Sequence, residues 1–214
     1  MELLSAVIGY LIGCINPAYI FGKMKGIDIR ECGSKNAGAS NAKLVLGKRY
    51  FVASATFDIV KPIIAYLLVM HAFPLDQPIN SFPILEFRAY LSAFACLIGH
   101  CHPFYMGFRG GKGFATYLGI CLIADYRVTL LVLIPLLVLS LIKKYIIVAT
   151  VGMCIIMPIA IFILRGLQLE TCLLIVSALV ILWRHRVNFK RYFRGEELDM
   201  NGSYINSKMN KEHL

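Results

Sequence analysis

The chain has 214 residues, 58% of them hydrophobic and only 16% charged, with a mean hydropathy of +0.70. This excludes an ordinary water-soluble domain, because the apolar runs are too long and too numerous for one water-facing core. A formal net charge of +10 would suggest nucleic acid in a soluble protein. In so apolar a chain it reports basic loops on an anionic cytoplasmic leaflet, and no nucleic-acid partner is expected.

Residues 3 to 21 form the first expected span, broken near its end by Asn16-Pro17, which leaves polar groups turned inward. No small-residue cleavage pattern follows, so the stretch reads as a span rather than a signal peptide. Residues 22 to 50 are polar and carry Lys23, Lys25, Arg30, Lys35, Lys43, Lys48 and Arg49. A second span is expected over about 51 to 73, with Asp58 and Lys61 in its first half. Residues 74 to 84 are turn-rich and lack Lys and Arg, and a third span covers roughly 85 to 101.

After a glycine-rich stretch, residues 115 to 124 are apolar for about half a span, Asp125-Tyr126-Arg127 interrupt, and residues 128 to 142 resume. This reads as a short helix, a turn and another helix, one long bent helix being the alternative. Lys143-Lys144-Tyr145 make the next break. Residues 146 to 164 and 169 to 183 are the last two spans, and the tail from Arg184 is polar and basic.

Charge decides the topology. Seven crossings with the N-terminus outside place 18 of the 22 Lys and Arg on one side, leaving Arg88, Arg127 and Arg165 opposite and Lys61 within a span. A single crossing over 115–142 would spoil that bias. The expected fold is therefore all-α: a polytopic membrane protein of seven transmembrane helices, one or two of them short, with a cytoplasmic C-terminus. The chain reads as one integral membrane domain over 1–214 with a basic cytoplasmic tail from about 184.

The seven cysteines form no C-x-x-C pair and lie mostly in apolar segments, as expected of small buried hydrophobes in a reducing setting. His100-Cys101-His102 does not make a metal site, since residues two apart cannot share a helical face and no second ligand cluster follows.

Three polar segments fall on the basic side. Residues 99 to 116, GHCHPFYMGFRGGKGFAT, place Lys112 among Gly110, Gly111 and Gly113 just ahead of a helical pattern. Glycines permit close backbone approach and a helix start favours an anion, so the stretch reads as a phosphate cradle facing water. It is not a nucleotide P-loop: Met106 and Gly113 stand where that motif needs Gly and Ser or Thr. On the glycines alone, a tight turn with Arg109 and Lys112 as interfacial anchors fits equally well. Residues 33 to 41, GSKNAGASN, are small and rich in hydroxyl and amide groups suited to phosphate or polyol oxygens. Arg184 to Arg191, RHRVNFKR, reads as a basic anchor behind Trp183, but that leaves His185 and Asn188 without a purpose. Asp58 and Lys61, three apart at membrane depth, either form an ion pair that fixes helix packing or brace the polar site.

These motifs, in this order, resemble the bacterial acyl-phosphate:glycerol-3-phosphate acyltransferase family of integral membrane enzymes. The match takes in Asn16-Pro17, GSKNAGASN, Phe57-Asp58 with Lys61, GHCHPFYMGFRGGKG, and RHRVNFKR with the trailing Gly195 and Glu197. The resemblance implies transfer of an acyl group from acyl phosphate to the 1-hydroxyl of glycerol 3-phosphate, giving lysophosphatidic acid and phosphate in phospholipid synthesis. It implies no cofactor, a bacterial cell (inner) membrane with the active site on the cytoplasmic face, and contact with the soluble enzyme that makes acyl phosphate.

By this resemblance Ser34, Lys112, His185 and Asn188 are the candidate catalytic residues. Gly33, Asn36, Asn41, Lys43, His100, Gly110, Gly111, Gly113, Arg184 and Arg186 are candidates for substrate binding, and Asp58, Lys61 and Glu197 for support. The chain departs from the family pattern at Lys35 (usually Gly), Ser40 (Thr), Leu44 (Arg, with Lys43 beside it) and Pro62 (Gly). An acyl phosphate is already activated, so the protein has to align the acceptor hydroxyl, neutralise two phosphates and stabilise an oxyanion. Backbone donors at Gly110 to Gly113 with Lys112 are expected to hold the donor phosphate. Either His185 or a substrate phosphate oxygen takes the proton. Direct transfer is expected, since Ser34 has no His–Asp arrangement beside it. A transporter of small phosphate-bearing anions is the rival, and a lipid-binding scaffold a weaker third.

Overall fold

The structure, a computed structural model, describes residues 1–72, 82–197 and 199. The expected turn-rich stretch at 74–84 lies largely outside these residues, as does the tail beyond 199. Every regular element among the described residues is helical.

The first expected span is two helices, α1 (Glu2–Cys14) and α2 (Pro17–Met24), bent by 40° at the Asn16-Pro17 break. Buried Asn16 caps α2 by accepting from the Tyr19 amide at 2.9 Å, and its Nδ2 donates to Ala37 O at 2.9 Å. The 22–50 segment, expected to be a loop, contains α3 (Ala39–Val45), and α4 starts inside it, spanning Lys48–Ala72. α5 (Phe82–Cys101) leads through a short 3-10 turn (Phe104–Met106) to the glycine stretch.

α6 (Phe114–Lys143) is broken at Asp125, whose backbone is extended (φ −164, ψ 107). The Asp125 carboxylate accepts from the Arg127 and Val128 amides at 3.0 and 3.1 Å, the geometry of a cap starting a new helix. Arg165 grips the break, donating to Ala124 O at 3.1 Å and pairing with Asp125 at 2.7 Å. The expected interruption therefore falls at Asp125, within one kinked helical element over Phe114–Lys143. α7 (Ile146–Arg165), α8 (Leu169–Arg184) and α9 (Arg186–Arg194) follow, α9 bending 53° away from α8 inside the basic tail.

Among the described residues, four helical segments are long and apolar enough to cross a membrane, or up to six if each bent pair counts as one span. The main core gathers Leu97, Tyr117, Cys121, Met153, Met157, Leu174 and Ile181 from α5 to α8. A second, smaller core of Ala18, Ile29, Ala37, Ala42 and Met106 lies under α2 and α3. α1 and α5 meet along a glycine seam: a Cβ on Gly9, Gly13 or Gly99 would lie 2.0, 2.1 or 2.2 Å from a carbonyl oxygen of the opposite helix. Small residues let the two backbones touch, as lipid-embedded helices require. Pro62 packs into α6, where a Cβ on Gly119 would lie 2.5 Å from its Cγ.

Candidate active site

The break in the first span exposes three carbonyls, and each finds a donor. Lys61, buried on α4, donates to Gly13 O at 3.1 Å and Ile15 O at 3.0 Å, while the Tyr105 hydroxyl donates to Cys14 O at 2.8 Å. Lys61 Nζ also lies 2.7 Å from Asp58 Oδ1 and 2.8 Å from His100 Nδ1, and His100 Nδ1 is 3.2 Å from the same carboxylate. A charge at this depth is tolerable because every side of it is matched. His100 carries the arrangement to the glycine stretch: a Cβ on Gly111 would lie 2.2 Å from its Nε2. The absence of that Cβ lets the loop lie directly on the ring.

The loop amides do not all face outward. Gly110 N donates to Cys101 O and Gly111 N to His100 O, both at 3.1 Å. In this structure these two amides fasten the loop to the end of α5. Arg184 completes the fastening from α8, its Nη2 donating to Gly110 O at 3.2 Å and Gly111 O at 2.9 Å. Gly113 adopts φ +90, a conformation open to glycine, and turns the chain into α6.

Lys112 is held between these glycines. Burial pulls its ammonium down to about 8, against the opposing pull of Glu197. His185 is buried at the α8–α9 bend, where its Nδ1–H donates to Ile181 O at 2.9 Å, leaving Nε2 as an acceptor. Burial and the Lys112 charge drive it down to about 4, so it is neutral at pH 7. Asn188 Nδ2 donates to Glu197 Oε1, which ties α9 to the segment that follows it.

In the 33–41 motif, Asn41 is buried and committed to its own chain. It accepts from Ser34 N at 2.7 Å and donates to Ile29 O at 2.7 Å and Cys32 O at 3.0 Å. With both amide hydrogens occupied it shapes the turn that presents Ser34. Gly33 (φ +57) leaves room for the Asn41 carbonyl, since a Cβ there would lie 2.4 Å from it.

The motifs meet at a cleft of about 210 Å3 lined by Arg30, Lys35, Asn36, Arg109, Gly110 and Arg184, with Ala37 between them. Four of these are cations and none is acidic. Arg30 forks onto the Asp28 carboxylate at 3.0 and 2.8 Å and reaches Met106 O at 2.7 Å. Its guanidinium holds the Asp28 carboxyl well below the usual range.

The glycerol-3-phosphate acyltransferase family model matches residues 3–195. The chain belongs to this family. It is 33% identical to glycerol-3-phosphate acyltransferase 1 of Oceanobacillus iheyensis, over 94% of this chain and 96% of that protein. It is 32% identical to the Aquifex aeolicus glycerol-3-phosphate acyltransferase, over 91% and 97% of the two chains. Among solved structures it resembles the glycerol 3-phosphate form of PlsY (YgiH), an integral membrane glycerol 3-phosphate acyltransferase, with a TM-score of 0.80, 30% identity and coverage of 92% and 94%. The lysophosphatidic acid form of the same enzyme gives 0.78.

Against the family motifs, the structure brings Asn36, Gly110 and Arg184 to the cleft, with Lys112 among the loop glycines beside His185. Two expected substrate ligands lie elsewhere. Arg186 stacks its guanidinium 4.2 Å over the Trp183 ring and donates to Trp183 O, and Lys43 sits half-buried on α3 without lining the cleft. The sequence reading missed Arg30 and Lys35 as lining residues, and counted Arg109 only as an anchor. Lys35 stands at φ +57, a conformation that glycine adopts freely and other residues rarely; its place between Ser34 and Asn36 was the signal in the sequence.

Proposed function

We propose that this acyltransferase moves an acyl group from acyl phosphate to the 1-hydroxyl of glycerol 3-phosphate, releasing lysophosphatidic acid and phosphate. The observation that carries the reading is the convergence of the three motifs on one cationic cleft, flanked by half-buried Lys112 and buried His185. The cleft cations take the phosphate of glycerol 3-phosphate, and Lys112 takes that of the donor. Ser34, Asn36 and Asn188 orient the acceptor hydroxyl and the carbonyl. Neutral His185 offers Nε2 as an acceptor, but its low basicity favours a substrate phosphate oxygen as the final proton acceptor. Gly33, Asn41, His100, Gly110, Gly111 and Gly113 shape the site, while Asp58, Lys61 and Glu197 brace it.

Seven crossings with the N-terminus outside are supported by the capped break at Asp125 and by the charge bias of the loops. The site then faces the cytoplasm from the bacterial inner membrane, where it meets the soluble enzyme that supplies acyl phosphate. The test is formation of lysophosphatidic acid by purified protein given palmitoyl phosphate and labelled glycerol 3-phosphate, with palmitoyl-CoA in parallel. Product from acyl phosphate alone, lost in Lys112→Ala and Asn188→Ala, is the expected result. No product from folded protein overturns the reading.

A further inference from the structure

Lys35 lines the cationic cleft with its backbone at φ +57. A side chain in the left-handed region is disfavoured by contact between Cβ and its own carbonyl, a penalty that glycine escapes. Strain of this kind persists where something else gains from it. Lys35 is exposed and its ammonium makes no hydrogen bond or ion pair among the described residues. Its amide closes the turn by donating to Cys32 O at 3.0 Å, so the turn itself asks only for a backbone.

The other cations divide in two. Arg30 is locked to Asp28 and Met106, and Arg184 to the glycine loop. Arg109, exposed and following Phe108 at φ +59, also has no side-chain partner among the described residues. Arg184 also lines the cleft, and its Nε is buried without an acceptor among the described residues.

We infer that Lys35, with Arg109, captures the phosphate of the acceptor glycerol 3-phosphate and delivers it to the Arg184 floor, and that this chain holds Lys35 in a strained backbone to keep that charge there. The inference rests on the proposed acyl transfer. It separates charge from strain, two properties that three substitutions disentangle: Lys35→Gly removes both, Lys35→Ala removes the charge alone, and Lys35→Arg keeps both.

Purified variants are compared for KM of each substrate, for kcat, and for Tm with and without glycerol 3-phosphate. Lys35→Gly and Lys35→Ala are expected to raise the KM for glycerol 3-phosphate about five- to tenfold, the loss of one ion pair near water, with kcat and the donor KM held. Lys35→Arg stays close to the parent. Without ligand, Lys35→Gly melts higher than the parent while Lys35→Ala does not, so the tightest-folding variant binds its acceptor poorly. An unchanged acceptor KM in both uncharged variants, or a shift in the donor KM instead, overturns the inference. Should the parent protein turn nothing over, the ligand-induced rise in Tm decides alone. A Lys35-dependent rise supports the capture site and condemns only the reaction; no rise condemns both.

Discussion

Lys61→Met tests the joint between the broken first span and the catalytic loop. Lys61 is fully buried and meets four partners: Asp58, His100 and the carbonyls of Gly13 and Ile15, all within 3.1 Å. Methionine keeps most of the volume but leaves the Asp58 carboxylate buried without its counter-charge, which costs about 3–5 kcal/mol. Two carbonyls lose their donor as well, about 1 kcal/mol each. The single substitution should therefore cost about 5 kcal/mol or more. Asp58→Asn with Lys61→Met removes the charge and should leave a loss of only about 2 kcal/mol, from the carbonyls. The assay is unfolding of both singles and the double in mixed micelles titrated with SDS, closed as a double-mutant cycle. A Lys61→Met loss under about 1 kcal/mol, or single losses that simply add, would refute the claim that one buried charge network holds α1, α4 and α5 together.

Gly111→Ala forces a methyl to within 2.2 Å of His100 Nε2 and 2.9 Å of Ala37 O. Displacing the loop by such an amount should lower kcat/KM about a hundredfold, measured by lysophosphatidic acid formation. Asn41→Ala removes three hydrogen bonds around the Ser34 turn, and should cost about 2–4 kcal/mol in the same unfolding assay. Lys112 gives opposite pH trends for function and stability. It titrates at about 8 in the fold against the usual 10.5, so the unfolded chain binds more protons between those values and stability rises with pH across that window. Its positive charge disappears over the same range, so the KM for acyl phosphate should climb above about pH 8. A pH profile of donor KM that stays flat to pH 9.5 would exclude Lys112 as the donor's counter-charge.

Much of the helical layout could be read from punctuation of the apolar runs. Asn16-Pro17 and Asp125 break them because a missing donor and an ionised carboxylate do not sit within a plain membrane helix. The glycine seam was less legible: the spacing of Gly9 and Gly13 suggests a close helix contact, but nothing local names α5 as the partner. At the site, Gly110 and Gly111 announce close approach without saying to what, and their amides turned out to face the end of α5. The hydrogen bonds of Asn41 to its own turn were not legible, because an amide serving its own turn and one serving a substrate are the same residue in the same polar loop. Arg30 was one of seven cations in a basic stretch, and only the distant Met106 carbonyl and the Asp28 fork give it a place.

The small core of Ala18, Ile29, Ala37, Ala42 and Met106 has a consequence for how such an enzyme changes over time. The segment that presents Ser34, Lys35 and Asn36 rests on this cluster rather than on the main core, and it meets the first span only through Ala18, Tyr19 and the Asn16–Ala37 hydrogen bond. Its substitutions therefore fall outside the main core of α5 to α8. Three of the four departures from the family pattern read in the sequence, Lys35, Ser40 and Leu44, fall in this segment. The acceptor side of the site can be retuned as a detachable faceplate, while the glycine loop, sealed between α5 and Arg184, has no comparable freedom.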